Sequence, residues 1–421
     1  MRKETVKLGI IGLGCRGITM LTGVILPLRE EGVEVIAVCD TCEDRVLAAA
    51  DAVEGAGVAR PLVTADYREV LAIEELDAVY IATAWEAHVE IAVAAMKAGK
   101  YVGLEVGGAY SVADCYKLVN TYEETGTHCM LLENCCYGKR ELMALNMVRR
   151  GLFGEIVHCS GAYGHDLRQE VVQGKENRHY RLRNYLTRNC ENYPTHELGP
   201  IAKLLDINNG NKFLSLSSFS SAAKGLHQYI VEKQGLYRPL SKVNFAQGDI
   251  ITTVLTCSGG QTVTITLDTT LPRYYTRSFT VRGTKGSYFE ENDSVFLDQV
   301  HTEHELDWKK QWGNAQEYEE AYLHPLWQGD VGADMHGGID HIVAKAFIEA
   351  IKSNTRPPID VYDAATYMCV AALSEQSITL GGAPMAFPDF TNGRWTMRTD
   401  IVENEYTLDR IDNGRDLYFI D

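Results

Sequence analysis

The stretch "GAYGHDLR", residues 161–168, places a tyrosine, a histidine, an aspartate and an arginine within six positions. It follows the apolar-rich segment "EIVHCS", so these side chains are expected where a strand ends. Tyr163 and His165 are two residues apart, which puts them on one face of an extended strand. A phenol and an imidazole on one face can exchange protons with a single ligand. The alternative is a polar strand edge that makes only structural hydrogen bonds.

The segment "GLGCRG" has the G-x-G-x-x-G spacing of a dinucleotide-binding loop. It lies directly between the strand "VKLGIIG" and a helical pattern, and Asp40 closes the next strand. Glycines at these positions let the backbone approach a pyrophosphate, and a carboxylate after the second strand accepts hydrogen bonds from a ribose. The negative charge of Asp40 favours NAD over NADP. A strand–turn–helix without a ligand, or an FAD or S-adenosylmethionine site, are the alternatives. Five residues of this loop are expected to contact the cofactor: Gly12, Gly14, Cys15, Arg16 and Gly17.

Alternating strand and helix patterns run to about residue 135 and predict a parallel sheet with helices on both faces. The following part is rich in short strands separated by "GG" and "TKG", which predicts a large open antiparallel sheet. Two late helical stretches, "DHIVAKAFIEAIKSN" and "DAATYMCVAALSEQSITL", are expected to cover this sheet. The predicted fold class is α/β followed by α+β. We place a Rossmann NAD-binding domain at 1–136, and a substrate-binding and oligomerisation domain at 137–421.

Composition excludes several functions. The chain of 421 residues has 40 basic and 57 acidic side chains, and the net charge of −17 argues against nucleic acid and acidic membranes as partners. No apolar run of membrane-spanning length or signal sequence is found, so a cytoplasmic location with reduced thiols is expected. Cys39 and Cys42 form a single C-x-x-C without a second pair. His336, Asp340 and His341 have metal-like spacing, but a glycine-rich helix start with Asp340 in its first turn is favoured, so no metal is predicted.

The dinucleotide-binding part, the later sheet and the segment "IATAWEAHVEIAVAAMKAGKYV" together resemble the glucose-fructose oxidoreductase/inositol dehydrogenase/MocA (Gfo/Idh/MocA) family over essentially the whole chain. In dehydrogenase members the next strand ends in Glu-Lys-Pro, and the lysine helps to move the proton as hydride leaves the sugar. Here that segment is "GLEVGGAYS", with Glu105 present, Val106 at the lysine position and Gly107 at the proline position.

The segment without this lysine resembles one branch of the family, the NAD-dependent glycoside hydrolases typified by α-N-acetylgalactosaminidases. In that branch the segment commonly reads Glu-Val-Pro. Further stretches resemble that branch: "AWEAH", "LLENCCYG", "GAYGHDLR", "YPTHELGP", "PRYYTR", "RGTKG", "HPLW", "HGGIDH" and "FPDFTNGRW". Two residues depart from it, namely Gly107 for proline and Glu197 where these galactosaminidases tend to have glycine. Both lie near the expected sugar pocket, which leaves the particular sugar open.

The resemblance implies a redox-assisted elimination: C3 of the sugar is oxidised, a base removes the C2 proton, the C1 group leaves, water adds, and C3 is reduced again. Tyr163 matches the C2 base, with His165 beside it and His196 as a second proton carrier. An unperturbed phenol has a pKa of ~10, so a nearby cation or the nicotinamide is expected to lower it. Arg168, Tyr193 and Tyr275 are expected to bind substrate, with Asp166 in support.

The resemblance also places four further residues at the cofactor: Trp85, His88, Glu105, Asn134. Packing for Trp85 and a helix cap for Glu105 are the alternatives. NAD is the expected cofactor, a small glycoside the substrate, and a dimer or tetramer the assembly. A sugar or inositol dehydrogenase and a non-catalytic nucleotide-bound sensor are the competing functions.

Overall fold

The computed structural model describes residues 2–235, 239–301, 308–329, 336–398 and 404–408. Strands and helices alternate along the first part of the chain: β1 (Val6–Ile11), α1 (Cys15–Met20), β2 (Val33–Cys39), α2 (Glu43–Gly55), β3 (Leu62–Thr64), α3 (Tyr67–Leu71), β4 (Ala78–Ile81), α4 (Trp85–Lys97), β5 (Tyr101–Leu104), α5 (Val112–Thr125) and β6 (Cys129–Leu131).

The later elements are dominated by longer strands and by helices near them: α6 (Lys139–Arg149), β7 (Ile156–Gly164), α7 (Arg168–Val172), α8 (Arg181–Thr187), α9 (Thr195–Leu204), β8 (Phe213–Ser220), α10 (Gly225–Gln234), β9 (Ile250–Cys257), β10 (Thr262–Asp268), β11 (Thr280–Gly283), β12 (Gly286–Phe289), β13 (Ser294–Leu297), α11 (Glu319–Tyr322), α12 (Ile339–Ser353), α13 (Val361–Thr379) and β14 (Met385–Ala386).

The chain forms two compact units. Among the described residues, the first comprises 2–137, 329, 336–366 and 404–408, and the second comprises 138–235, 239–301, 308–328 and 367–398. Compact units need not be contiguous in sequence, and the domain division after residue 136 stays a prediction. Within the described residues, no helix is both long enough and apolar enough to cross a membrane.

The first unit contains a six-stranded parallel sheet in the order β3-β2-β1-β4-β5-β6. All residues of β4 and β5 are buried, as expected for central strands covered on both faces. This confirms the predicted Rossmann architecture. The carboxyl ends of the strands form the edge at which α/β proteins bind ligands.

Helix α12 packs against the first unit, where it contacts β1 and the turn at Asn134–Tyr137. The prediction that it covers the second sheet was therefore wrong. Gly103 on β5 leaves room for Phe347 of α12, because a Cβ at Gly103 would lie 2.8 Å from the Phe347 ring. The last turns of α13 do pack on the second sheet, since Ser377 Oγ accepts a hydrogen bond of 2.9 Å from the Ser218 amide.

The second unit is built on an eight-stranded sheet in the order β13-β12-β11-β7-β10-β9-β8-β14. The predicted breaks at "GG" and "TKG" make the pairs β9–β10 and β11–β12 antiparallel. The short connection between β12 and β13 makes that pair antiparallel as well. One pair differs from the prediction, because β7 and β10 run parallel and the sheet is mixed. Nearly a hundred residues separate these strands, so no hairpin forces them to be antiparallel.

Candidate active site

The glycine loop after β1 has the close backbone packing that a dinucleotide site requires. Gly12 has φ +94°, and a Cβ there would lie 2.5 Å from the Ala82 carbonyl carbon. A Cβ at Gly17 would overlap the Gly12 carbonyl oxygen, so the first turn of α1 lies directly on the loop. Gly14, by contrast, precedes α1 with 3.7 Å to the nearest atom, which leaves open space for a ligand. Cys15 is exposed beside it.

Asp40 lies at the carboxyl end of β2 and is fixed to this loop. Its Oδ2 accepts a hydrogen bond of 2.7 Å from the Leu13 amide, and its Oδ1 accepts one of 2.8 Å from the Cys42 amide. A carboxylate held here can bind the hydroxyls of an adenosine ribose. The loop and this carboxylate therefore fit the adenosine and pyrophosphate parts of NAD. NAD supplies a hydride acceptor when bound.

Arg16, Glu105 and Asn134 meet in one hydrogen-bonded cluster. Arg16 Nε donates to Glu105 Oε1 at 2.8 Å, and its two terminal nitrogens donate to Asp340 at 2.9 Å each. Asn134 Nδ2 donates to Asp340 Oδ1 at 2.8 Å. The sequence pattern around Asp340 indicates only a helix start or a metal ligand, and not a contact with the glycine loop. Its partner Arg16 is 324 positions away, so only the fold reveals this contact.

Trp85 and His88 are buried at the start of α4. His88 Nε2 lies 3.0 Å from the Thr83 carbonyl oxygen, and burial lowers the pKa of His88 to about 4, so the ring is neutral. The Trp85 indole fills the space beside Gly107, where any Cβ would overlap the ring. This packing accounts for glycine at a position where the resembling enzymes have proline. Cofactor contacts by Trp85 and His88 stay predictions.

In the second unit, the end of β7 carries the predicted reactive pair. The Tyr163 hydroxyl lies 3.1 Å from His165 Nδ1, and both side chains point to the same face of the strand. Strand β7 is paired on both sides, with β10 and β11, which fixes the two side chains in place. Tyr163 is 4% exposed, so its phenol is shielded from bulk water.

The structure brings three more predicted residues to this pair. Tyr193, from the segment before α9, stacks on Tyr163 with ring centroids 4.4 Å apart. His196, in the first turn of α9, lies 5.4 Å from the Tyr163 ring and 4.9 Å from the Tyr193 ring. The Tyr275 ring lies 5.2 Å from the His165 ring and is 47% exposed. Five predicted residues therefore form one aromatic and imidazole cluster.

Arg168 does not join this cluster. It forms hydrogen bonds of 2.8 and 2.6 Å with Asp166 and lies 5.0 Å from the Tyr229 ring centroid. The cation at the cluster is Arg181 of α8, whose guanidinium carbon lies 5.0 Å from the Tyr193 ring centroid. Its Nε pairs with Glu170 at 2.5 Å.

Sequence reasoning missed Arg181, although a signal was present. Arg181, Asn184 and Tyr185 are buried at positions i, i+3 and i+4 of α8, so the arginine lies on the inward face of the helix. A buried arginine needs a polar or oppositely charged partner, because burying an unpaired charge costs free energy. The periodicity of "RLRNYL" therefore could have distinguished Arg181 from Arg183.

The charge of Arg181 acts on the proton affinities of the cluster. Burial raises the pKa of the Tyr163 phenol, and the Arg181 charge acts in the opposite direction. Burial, followed by the same cation, lowers the pKa of His165, so this imidazole is neutral near pH 7. A neutral imidazole next to a phenol offers an acceptor for its proton. Burial outweighs the Arg181 charge, so the expectation that a nearby cation lowers the net pKa of Tyr163 was wrong for the protein alone. The raised pKa of the phenol and the lowered pKa of the imidazole both oppose the transfer, and the positive charge of the nicotinamide is the remaining group that could favour it.

Glu197 is buried in α9 and packs on β7, because a Cβ at Gly161 would lie 2.9 Å from the Glu197 Cβ. Glu191, which precedes α9, is also fully buried and faces the Glu197 carboxyl. Burial raises the pKa of Glu191 to about 8, so this carboxyl holds its proton at neutral pH. The unusual Glu197 thus belongs to a buried pair of acidic side chains.

Comparison with known proteins agrees with both units. Residues 6–132 match the model for the oxidoreductase family with an NAD-binding Rossmann fold, and residues 137–397 match the model for the C-terminal domain of glycosyl hydrolase 109. An inositol dehydrogenase homologue from Azotobacter vinelandii, solved with NADH and myo-inositol, has the same fold at 16% identity. Its TM-score is 0.65, with 92% of this chain and 98% of that chain covered. The chain is an NAD-dependent enzyme.

Among curated proteins, a glycosyl hydrolase family 109 protein from Parabacteroides distasonis is 39% identical, covering 93% of this chain and 88% of that protein. An α-N-acetylgalactosaminidase from Tannerella forsythia is 38% identical, covering 93% of this chain and 87% of that protein. This chain belongs to glycosyl hydrolase family 109. The resemblance predicted from its motifs is thereby confirmed.

Proposed function

We propose that this protein hydrolyses small glycosides of amino sugars or of galactose by transient oxidation at C3, in the manner of an α-N-acetylgalactosaminidase. The observation that carries the proposal is the contact of Tyr163 with His165 inside a cluster of aromatic side chains on which a sugar ring could pack. The relative from Tannerella forsythia, named an α-N-acetylgalactosaminidase, supports the choice of substrate.

In this mechanism bound NAD would supply the acceptor for the C3 hydride of the sugar and the source of its return in the same turnover. The C3 hydroxyl gives its proton to His196, since a lysine is missing at Val106. The resulting ketone acidifies the C2 hydrogen, which Tyr163 removes as a phenolate. Its own proton has passed to His165 at 3.1 Å. Arg181 stabilises the phenolate charge.

Electrons and atoms then balance as follows. The C2–H electrons form a C1–C2 double bond while the C1–oxygen bond breaks, and the alcohol leaves with a proton from solvent. Water then adds its hydroxide to C1 and releases its proton to solvent, which replaces the one taken by the alcohol. Tyr163 returns a proton to C2, and His196 returns a proton to the C3 oxygen as C3 is reduced. Tyr193 and Tyr275 bind the sugar ring, and no net oxidation occurs.

The test combines three readouts on one sample. Aryl α- and β-glycosides of glucose, galactose, N-acetylglucosamine and N-acetylgalactosamine are incubated with the protein in D₂O. The proposal expects phenol release without NADH accumulation, and a product sugar that carries one deuterium at C2. Steady, stoichiometric NADH without cleavage would instead identify a sugar dehydrogenase. Cleavage that shows neither deuterium at C2 nor a primary kinetic isotope effect with a substrate deuterated at C2 would rule out elimination, because a buried Tyr163 can return the proton that it removed.

We further infer that the protein works as a homo-oligomer, a dimer or a tetramer, through the outer face of the second sheet. Phe219 and Thr252 are directly opposite on neighbouring strands, and Val254 lies two residues along the same face. Phe219 is 56% exposed and Val254 is 38% exposed. Light scattering on the wild type and on Val254→Lys tests this, and a monomeric wild type would contradict it.

We also propose that the protein acts in the cytoplasm. Nine of the eleven cysteines are buried as free thiols, a state that a reducing compartment preserves. Thiol titration of the denatured protein, freshly purified under alkylating conditions from its own cells, should find all of them reduced. Disulfides in that sample would contradict this location.

A further inference from the structure

Arg16 of the glycine loop is held by two buried carboxylates, and this Arg16–Glu105–Asp340 cluster has a function beyond shaping the loop. Glu105 is 4% exposed and Asp340 is 2% exposed. Glu105 also accepts hydrogen bonds from the buried Tyr80 hydroxyl and from the Val106 amide. The cluster is therefore rigid and largely removed from water.

The cluster carries one excess negative charge. Arg16 contributes one positive charge and the two carboxylates contribute two negative charges. The hydrogen bonds with His336 and Arg16 keep the pKa of Asp340 far below its usual range despite burial. Burial keeps Tyr80 and His88 neutral. His336 Nδ1 lies 2.6 Å from Asp340 Oδ2. A protonated His336 would cancel the excess charge, so the charge is counted with this ring neutral, and the binding test is run at about pH 8, above the ordinary titration range of an imidazole.

The sheet topology places this excess charge at the nicotinamide half of the cofactor site. Asp40, the ribose carboxylate, follows β2, whereas Glu105 follows β5 on the other side of β1. A dinucleotide lies across the carboxyl ends of such strands, with its two halves on opposite sides of the point where strand order reverses. The half opposite Asp40 is the nicotinamide.

We propose that the Arg16–Glu105–Asp340 cluster selects the oxidised cofactor, because the nicotinamide ring is cationic in NAD⁺ and neutral in NADH. Asp340 is thus a specificity-determining residue that discriminates between the two redox forms. An enzyme that must begin each turnover with the oxidised form is inactive when it binds NADH from solution. The cluster therefore keeps the resting protein loaded with NAD⁺, the form from which a turnover can begin.

The test measures the ratio of the two dissociation constants directly on the purified holoprotein. Wild type and Asp340→Asn are equilibrated with mixtures of NAD⁺ and NADH at about pH 8, and bound nucleotide is separated and quantified. Asparagine keeps the shape of the side chain and can still accept from Arg16, but it removes one charge. The preference for NAD⁺ should fall about tenfold. Asp51→Asn, at a side chain of α2 that is 68% exposed, is the matched control and should not change it.

A purely structural role of Asp340 gives a different result, since a loosened loop would weaken NAD⁺ and NADH binding by the same factor. An unchanged ratio would therefore overturn the proposal. If Asp340→Asn does not fold, Glu105→Gln removes a charge from the same cluster and should lower the preference in the same direction. The measurement uses no substrate, so its outcome is independent of the proposed glycosidase activity.

Discussion

The hydroxyl of Tyr163 lies 3.1 Å from Nδ1 of His165, on the same face of β7 and in the middle of an eight-stranded sheet. This contact joins a buried phenol to a neutral imidazole that can accept its proton. The end of β7 and the residue directly after it therefore hold the proposed base and the proposed acceptor of its proton within hydrogen-bonding distance.

Replacing Tyr163 by phenylalanine should lower kcat for the aryl glycoside by about a thousandfold, because the base for C2 is lost while the stacked ring remains. Retention of NAD should not change. Tyr274→Phe is the matched control, since this neighbouring phenol is 75% exposed and should remain fully active. A Tyr163→Phe protein with more than half of the wild-type rate would exclude this residue as the base.

Replacing Arg181 by methionine should shift the limb of the pH–rate profile on which the rate rises with pH to higher pH. Arg181 lowers the pKa of Tyr163, so its loss raises that pKa and the phenolate forms only at higher pH. Arg181→Lys keeps the charge and should shift the limb less. Arg168→Met should leave the limb in place, because Arg168 pairs with Asp166. Equal shifts for Arg168→Met and Arg181→Met would contradict the assignment.

Stability should fall as pH rises from about 5 to about 8 because of Glu191. Its pKa is about 8 in the folded protein against 4.5 for the ordinary side chain, so in this window the unfolded chain has lost a proton that the folded chain retains. The loss should be about 1–3 kcal/mol. Glu191→Gln should flatten the urea-unfolding free energy over this range, whereas the exposed Glu54→Gln should not. An unchanged slope in Glu191→Gln would refute the buried, protonated state.

Gly107→Ala should destabilise the protein by about 1–3 kcal/mol more than Gly57→Ala, as measured by thermal or urea unfolding. Both glycines have positive φ, at +155° and +80°, so both substitutions strain the backbone. Only at Gly107 does the new Cβ overlap the Trp85 indole, whereas nothing lies within 4 Å at Gly57. Equal losses would show that Trp85 can move aside.

The loop and the reactive pair were predictable because their geometry is local. The G-x-G-x-x-G spacing dictates where backbone atoms meet, and the two-residue period of a strand puts Tyr163 and His165 on one face. Both signals need only neighbouring residues. The hairpins of the second sheet were predictable for the same reason.

Contacts between distant segments were not predictable from local patterns. Arg16 and Asp340 are 324 residues apart, and α12 covers the first sheet because Gly103 leaves space for Phe347. Periodicity shows that a helix has a buried face but does not show which sheet that face meets. The parallel pairing of β7 and β10, and the choice of Arg181 over Arg168, depend on the same kind of long-range packing.

The proposed site has one part on β7, where we expect amino-acid substitutions to destabilise the fold, and another part outside the strand, where we expect them to be tolerated. Tyr163 lies on a strand that is bonded to β10 on one edge and, through its neighbours Ala162 and Gly164, to residues 276–277 on the other, so a substitution here disturbs both neighbours. Tyr275 lies on an exposed connection beyond the sheet, where replacements cost little. We therefore expect substitutions at Tyr275 to change which sugar is accepted at little cost in stability, whereas substitutions at Tyr163 should affect both folding and the elimination step.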